Sequence, residues 1–144
     1  MFKLNQYLNI SKDGSSKSKV YIFQTTTHLM KKPWIYSQPF AKIYPMYVQK
    51  AESKGRTKKE VDKILKWLTG YTKTDVNSHV KKETTCEDFF KSKKLNPKRK
   101  LITGSVCGVK VQEVKEKTMR EIRYLDKLID ELAKGKDMDK ILRK

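Results

Sequence analysis

Only two of the 144 residues are cysteine, Cys86 and Cys107, and no CxxC or second pair accompanies them. That argues against a secreted disulfide scaffold. A single bridge stays open, while two free thiols in a reducing compartment is the simpler reading. Histidine is as scarce, with His28 and His79 alone. No His, Cys, Asp or Glu cluster has metal-ligand spacing, so no metal is assigned. Long apolar runs are missing: none approaches the ~18 residues of a membrane-spanning helix, and no membrane partner is implied. Met1, Phe2 and Lys3 are followed by Asn5, Gln6 and Asn9 rather than an apolar signal core, which points to the cytoplasm. There is no Gly-rich phosphate loop, no G-x-S-x-G and no paired-carboxylate motif. No catalytic residue and no cofactor follow from the sequence.

Arginine is the scarcest charge. Arg56, Arg99, Arg120, Arg123 and Arg143 stand against 29 lysines. Arginine is the usual reader of base edges, because its guanidinium makes bidentate bonds that a lysine cannot. What is present is lysine in quantity: 34 basic against 16 acidic residues, a formal charge of +18. Such an excess attracts polyanions at long range without dedicated recognition. Residues 31–100 hold 19 basic and 7 acidic residues, a net +12. The implied partners are nucleic acid or another polyanion, bound non-specifically. A merely solvated basic surface is the competing reading. Leu, Ile, Val and Phe make up 34 residues, about 24% of the chain, above the ~20% below which highly charged chains stay disordered. One small domain fits this length.

Periodicity and capping signals predict a mainly α domain of five or six short helices over residues 39–144. Residues 1–38 read as a partly disordered extension. Within it Lys19–Gln24 could form a short strand and Met30 could be an alternative start. Phe40, Ile43, Tyr44, Tyr47, Val48 and Ala51 share one helical face, with Pro45 in a first turn or splitting the helix, and Gly55 ends it. Thr57 and Glu60 form a capping box ahead of Val61, Ile64, Leu65 and Leu68, stopped at Gly70. Thr74 or Asp75 caps a helix through Val76 and Val80, and Thr85 caps a turn carrying Phe89 and Phe90. Asn96–Pro97 reads as a cap and first helical position. Val106 to Val114 predicts a short strand or hairpin. Thr118 and Glu121 predict a capping box for a long helix with Ile122, Leu125, Ile129 and Leu132 on one stripe, ending at Gly135. Asp137 caps a last short helix.

Two long blocks, PFAKIYPMYVQKAESKGRTKKEVDKILKWLTGY and LNPKRKLITGSVCGVKVQEV with the following REIRYLDKLIDELAKGKDMDKILRK, resemble the bacterial domain-of-unknown-function family 2200. The resemblance runs from about Pro39 to Lys144. It implies a small, predominantly helical bacterial cytoplasmic protein and carries no assigned activity.

Three constellations are candidates for function. Lys54, Arg56, Thr57, Lys58 and Lys59 surround a helix start whose free amides favour an anion. The competing reading is a helix corner whose capping box already uses those amides. Read as a helix-turn-helix, the corner makes Thr57–Thr69 the recognition helix, whose outward Lys58, Lys59, Asp62, Lys63 and Lys66 include no Asn, Gln or Arg for specific base readout. Tyr44, Trp67 and Tyr71, with Tyr47, could form an aromatic platform for a ligand, against the simpler reading of core aromatics. Cys107 between small residues could present an accessible thiol. A nucleophile there would need a base such as His79. Lys91–Lys100 adds six positive charges in ten residues, read as a solvated loop. The expectation is a non-catalytic binding or regulatory module with a basic, anion-attracting surface for nucleic acid or a phosphorylated ligand. A small enzyme centred on Cys107 or His79 and a homodimeric interaction module are the alternatives.

Overall fold

The computed structural model describes residues 32–144. The strand at Lys19–Gln24, a start at Met30 and the arm up to residue 31 lie outside these residues, while residues 32–38 of the expected extension are described. Six α-helices follow in order: α1 Phe40–Glu52, α2 Lys58–Thr69, α3 Lys73–Lys81, α4 Cys86–Phe89, α5 Lys117–Ala133 and α6 Met138–Ile141. Between α4 and α5 lies an antiparallel hairpin of β1 Ser105–Val106 and β2 Val109–Lys110. The mainly helical class with one small hairpin is as expected.

Helix α5 is the centre of the packing, against α1, α2, α6 and β1. Its stripe of Ile122, Leu125, Leu128, Ile129 and Leu132 is buried. It meets Ile43, Tyr47 and Ala51 of α1 and Val61, Ile64, Leu65 and Leu68 of α2 in one apolar cluster. Burial of this kind contributes roughly 1.5–3 kcal/mol per large side chain. Ile35 and Tyr36 are also buried in that cluster, in a short 3-10 turn at Trp34–Ser37 ahead of Pro39. The chain entering α1 is clipped to the chain entering α4. Phe40 N donates to Thr84 O (2.8 Å), and Cys86 N to Gln38 O (2.8 Å).

Pro45 does not split α1. The helix runs unbroken through it, with the proline ring on the exposed side, where its missing N–H leaves a carbonyl that water can satisfy. The Thr57–Glu60 capping box forms as expected. For α3 the cap moves to Thr72, whose side chain accepts from Asp75 N while Asp75 accepts from Thr72 N, so Asp75 is the third helical residue of the box rather than the cap. The long helix also starts differently. Glu116 caps it by accepting from Met119 N (2.8 Å). Glu121 is 1% exposed and takes both its oxygens to Arg99 Nε, at 2.8 and 2.9 Å, so an internal ion pair outcompetes the reach back to a cap. The hairpin is shorter than the alternating pattern suggests. Val106 pairs with Val109, the turn is Cys107–Gly108, and Val111–Glu113 coils into a 3-10 turn.

Candidate functional site

The helix corner at Lys54–Lys59 is occupied by its own contacts. Arg56 Nε donates to both oxygens of Glu60 (3.2 Å), and its Nη2 donates to Glu60 at 2.6 Å. Its Nη1 donates to the carbonyls of Leu132 (3.2 Å) and Lys136 (3.0 Å). The guanidinium thus ties the α1–α2 corner to the end of α5. The Glu60 hydrogen bond is the main reason its pKa lies above the usual arginine value, and Arg56 in turn holds the Glu60 carboxyl low. Thr57 Oγ1 and the Glu60 carboxylate use the amides of the box. Lys58 pairs with Asp62 (3.1 Å) and lies 5.4 Å above the Tyr44 ring centroid. Lys54 and Lys59 are exposed.

The aromatic candidates do not form a platform. Tyr44 donates its hydroxyl to Asp62 and stacks on Phe40, Trp67 packs half-buried against the core, and Tyr47 is buried with its hydroxyl on Asp126 (2.8 Å). Tyr71 is the exception, because it borders a cleft.

That cleft, of about 440 Å³, opens between α3 and the segment that follows α4. Tyr71 and His79 form one wall, their rings 4.7 Å apart and both against Phe89. Ser78 and Lys82 line it from α3 and its end, and Lys91, Lys93 and Lys94 from the facing segment. The facing segment is fixed. Ser92 Oγ donates to Thr69 O (2.6 Å), Lys94 N donates to Ser92 Oγ (3.1 Å), and Asn96 N donates to Leu68 O (3.0 Å). These bonds satisfy carbonyls at the end of α2 that a helix otherwise leaves orphaned. Gly70 makes the approach possible: its φ is +77°, and a Cβ there would stand 2.8 Å from the Lys94 carbonyl oxygen. The lysine run read as a solvated loop is, at Ser92–Asn96, a clamped wall.

What separates this cleft from its surroundings is the state of its polar groups. Among the described residues, Lys82, Lys93 and Lys94 make no ion pair and the Ser78 hydroxyl makes no hydrogen bond; Lys91 is spent on Asp88 at 3.0 Å. Asp75 also borders the cleft, with its carboxylate accepting from Thr72 N at 2.9 Å. His79 Nδ1 is 3.0 Å from Thr84 Oγ1, which leaves Nε2 as the free ring nitrogen. Burial first, then the Lys82 charge, holds His79 below the ordinary histidine value, with Asp75 opposing. Burial likewise raises the Tyr71 phenol, which donates to Phe89 O (2.7 Å). A second cavity of about 440 Å³ lies at the end of α5, and three of its four lysines are engaged. Lys127 and Lys136 face Glu131 at 3.8 and 3.4 Å, and Lys134 holds Asp130 at 3.0 Å.

Cys107 sits half-buried at the hairpin turn with φ +52°. Burial first and Asp126 second push its thiol up, and they push Cys86 up to about 12. Both sulfurs are free thiols held in the protonated form, which opposes nucleophilic use. His79 is packed against Tyr71, Phe89 and Thr84, whereas Cys107 feels Asp126, Lys50, Arg123 and Asp130. No group of three or more His, Cys, Asp or Glu that could hold a metal occurs among the described residues. No helix among them is long and apolar enough to cross a membrane.

The sequence held both halves of the cleft without joining them. The Lys91–Lys100 run was visible, and so was His79, but Ser78, Lys82 and the clamp on Ser92 carry no motif. Only tertiary packing through Gly70 brings them together.

Fold and site together define a small, mainly helical domain that presents a lysine-lined cleft. Residues 34–143 match the DUF2200 family, described as an uncharacterized protein conserved in bacteria, and the chain belongs to that family. The crystal structure of the uncharacterized protein SP1917 is similar to it at 37% identity and a TM-score of 0.72, covering 78% of this chain and 93% of that one. A comparison with curated proteins finds no match.

Proposed function

We propose that this domain is a non-catalytic binding module of the bacterial cytoplasm that holds anionic groups, of nucleic acid or of a phosphorylated ligand, in the cleft between α3 and Lys91–Lys94. One observation carries the reading: Ser78, Lys82, Lys93 and Lys94 line one cleft with side-chain donors that nothing among the described residues satisfies, beside His79, whose Nδ1 is held by Thr84. Arg56, Lys127 and Lys134, which also lie at a helix corner or a cavity, are by contrast paired. Unpaired ammonium groups held close together repel one another, and a rigid wall that keeps them close favours a bound anion.

The test is salt-gradient elution from immobilised heparin. The variant K82A/K93A/K94A is expected to elute at clearly lower salt than K54A/K59A/K63A, which removes the same charge from the exposed side of the α2 region. Equal elution of the two variants would reduce the attraction to net charge alone and overturn the assignment of the cleft.

A further inference from the structure

We propose that the cleft selects a dianionic phosphate monoester and that His79 takes up a proton as the anion binds. The proposal rests on the cleft being the anion site and adds to it the charge state of the ligand and a pH dependence.

The charge distribution argues for a concentrated anion rather than a polymer backbone. Lys82, Lys93 and Lys94 face the cleft unpaired, and Asp75 is the carboxylate on its border. The local excess is thus about two positive charges at one place. A phosphate monoester carries roughly −1.5 to −2 at neutral pH, on three acceptor oxygens. A phosphodiester carries one negative charge per phosphate and spreads it along a strand, which suits a basic track rather than a closed cluster. The Ser78 hydroxyl, Nε2 of His79 and the ammonium groups supply several separate donors for those oxygens. Charge-assisted bonds of that kind are the stronger class.

His79 is placed to respond to such a ligand. On its own helix Asp75 and Lys82 are the charged neighbours. Tyr71 precedes that helix, Phe89 packs on the ring from α4, and Lys91, Lys93 and Lys94 face it from the opposite wall. Thr84 fixes the ring, since Thr84 N donates to His79 O (3.0 Å) while Thr84 Oγ1 meets Nδ1. A protonated ring donates Nδ1–H to Thr84 Oγ1 and keeps Nε2–H for a ligand. Burial and the Lys82 charge oppose that proton, with Asp75 favouring it. A dianion seated between the cleft lysines reverses the sign of the local field, and the ring then takes up to one proton from solvent while the ligand keeps both its charges.

Sulfate is the informative probe, because it stays dianionic across the useful pH range and brings no titration of its own. Sulfate binding to the full chain is measured by calorimetry at pH 5.5 and pH 8.0 with chloride holding the ionic strength constant. The wild type is expected to bind at least fivefold more tightly at pH 5.5. H79Q is expected to lose that pH difference, with the same sulfate affinity at pH 5.5 and pH 8.0. In the wild type, the His79 ring resonances are expected to titrate at higher pH with sulfate than without. Equal affinity at both pH values, a pH difference retained in H79Q, or an unmoved His79 titration would overturn the proton uptake. Dimethyl phosphate or a single-stranded oligonucleotide binding as tightly per site as sulfate would overturn selection for the monoester. Unchanged sulfate binding by K93A/K94A would instead refute the cleft as the anion site, whatever His79 does.

Discussion

Arg56 and Gly70 each serve the fold in a way that decides where function lies. Arg56 spends its donors on Glu60 and on the carbonyls of Leu132 and Lys136. R56A is expected to destabilise the protein by about 1–2 kcal/mol, because two helix-end carbonyls and a carboxylate lose a partly exposed partner. Urea denaturation measures this, and sulfate binding should be unchanged in the same variant. At Gly70 an added methyl meets Lys94 backbone and also sits at a positive φ that favours glycine. G70A should cost about 1–3 kcal/mol and weaken anion binding together with stability, since the wall carrying Lys93 and Lys94 must move.

Asp126 is a third telling residue. It is buried beside Arg123, with Tyr47 donating to it, and burial pushes its pKa up to about 7 against the opposing pull of Arg123 and Tyr47. The folded protein therefore holds this proton over a pH range where the unfolded chain has released it. Asp126 imposes no penalty below the unfolded value near 4, and stability falls as pH rises from there towards about 7. D126N also loses the charge partnership that the ionised Asp126 makes with Arg123 above about pH 7, so only the trend is diagnostic. Urea melts at pH 4.5 and 7.5 should show D126N gaining on the wild type as pH rises. A constant gap between the two proteins would contradict the raised pKa.

At the scale of elements, the helices whose signals are local and exposed were legible. The Thr57–Glu60 box and Gly70 frame α2 as expected, because both ends face solvent and nothing competes for the capping groups. The start of α5 was not legible from Thr118 and Glu121, because Arg99, 22 residues away in sequence, claims Glu121 inside the core. The strand pattern at Val109–Val114 was legible only as far as Lys110. Beyond it the backbone turns, with Val111 N bonding Gly104 O (3.0 Å), and buries Val111. The cleft belongs to this same class of non-local outcome. Its wall is set by bonds from Ser92 and Asn96 to the end of α2, partners more than 20 residues apart that no spacing rule connects.

Over the whole molecule, the +18 divides by pairing more than by position. In the described residues several lysines are paired locally: Lys32 with Glu87, Lys58 with Asp62, and Lys50 and Lys134 together with Asp130. Such exposed pairs contribute little to stability but remove charge from the surface available to a partner. Of the cleft lysines, Lys91 is paired with Asp88, while Lys82, Lys93 and Lys94 make no ion pair among the described residues.

The most direct test follows amide and side-chain resonances of the full chain during a sulfate titration. The account predicts that the saturable shifts gather on Ser78, His79, Lys82 and Ser92–Lys94, with the region of Arg56 and Lys54 largely still. Shifts centred instead on Lys54–Lys59 or Lys134–Lys140, or spread evenly over the basic surface, would contradict it.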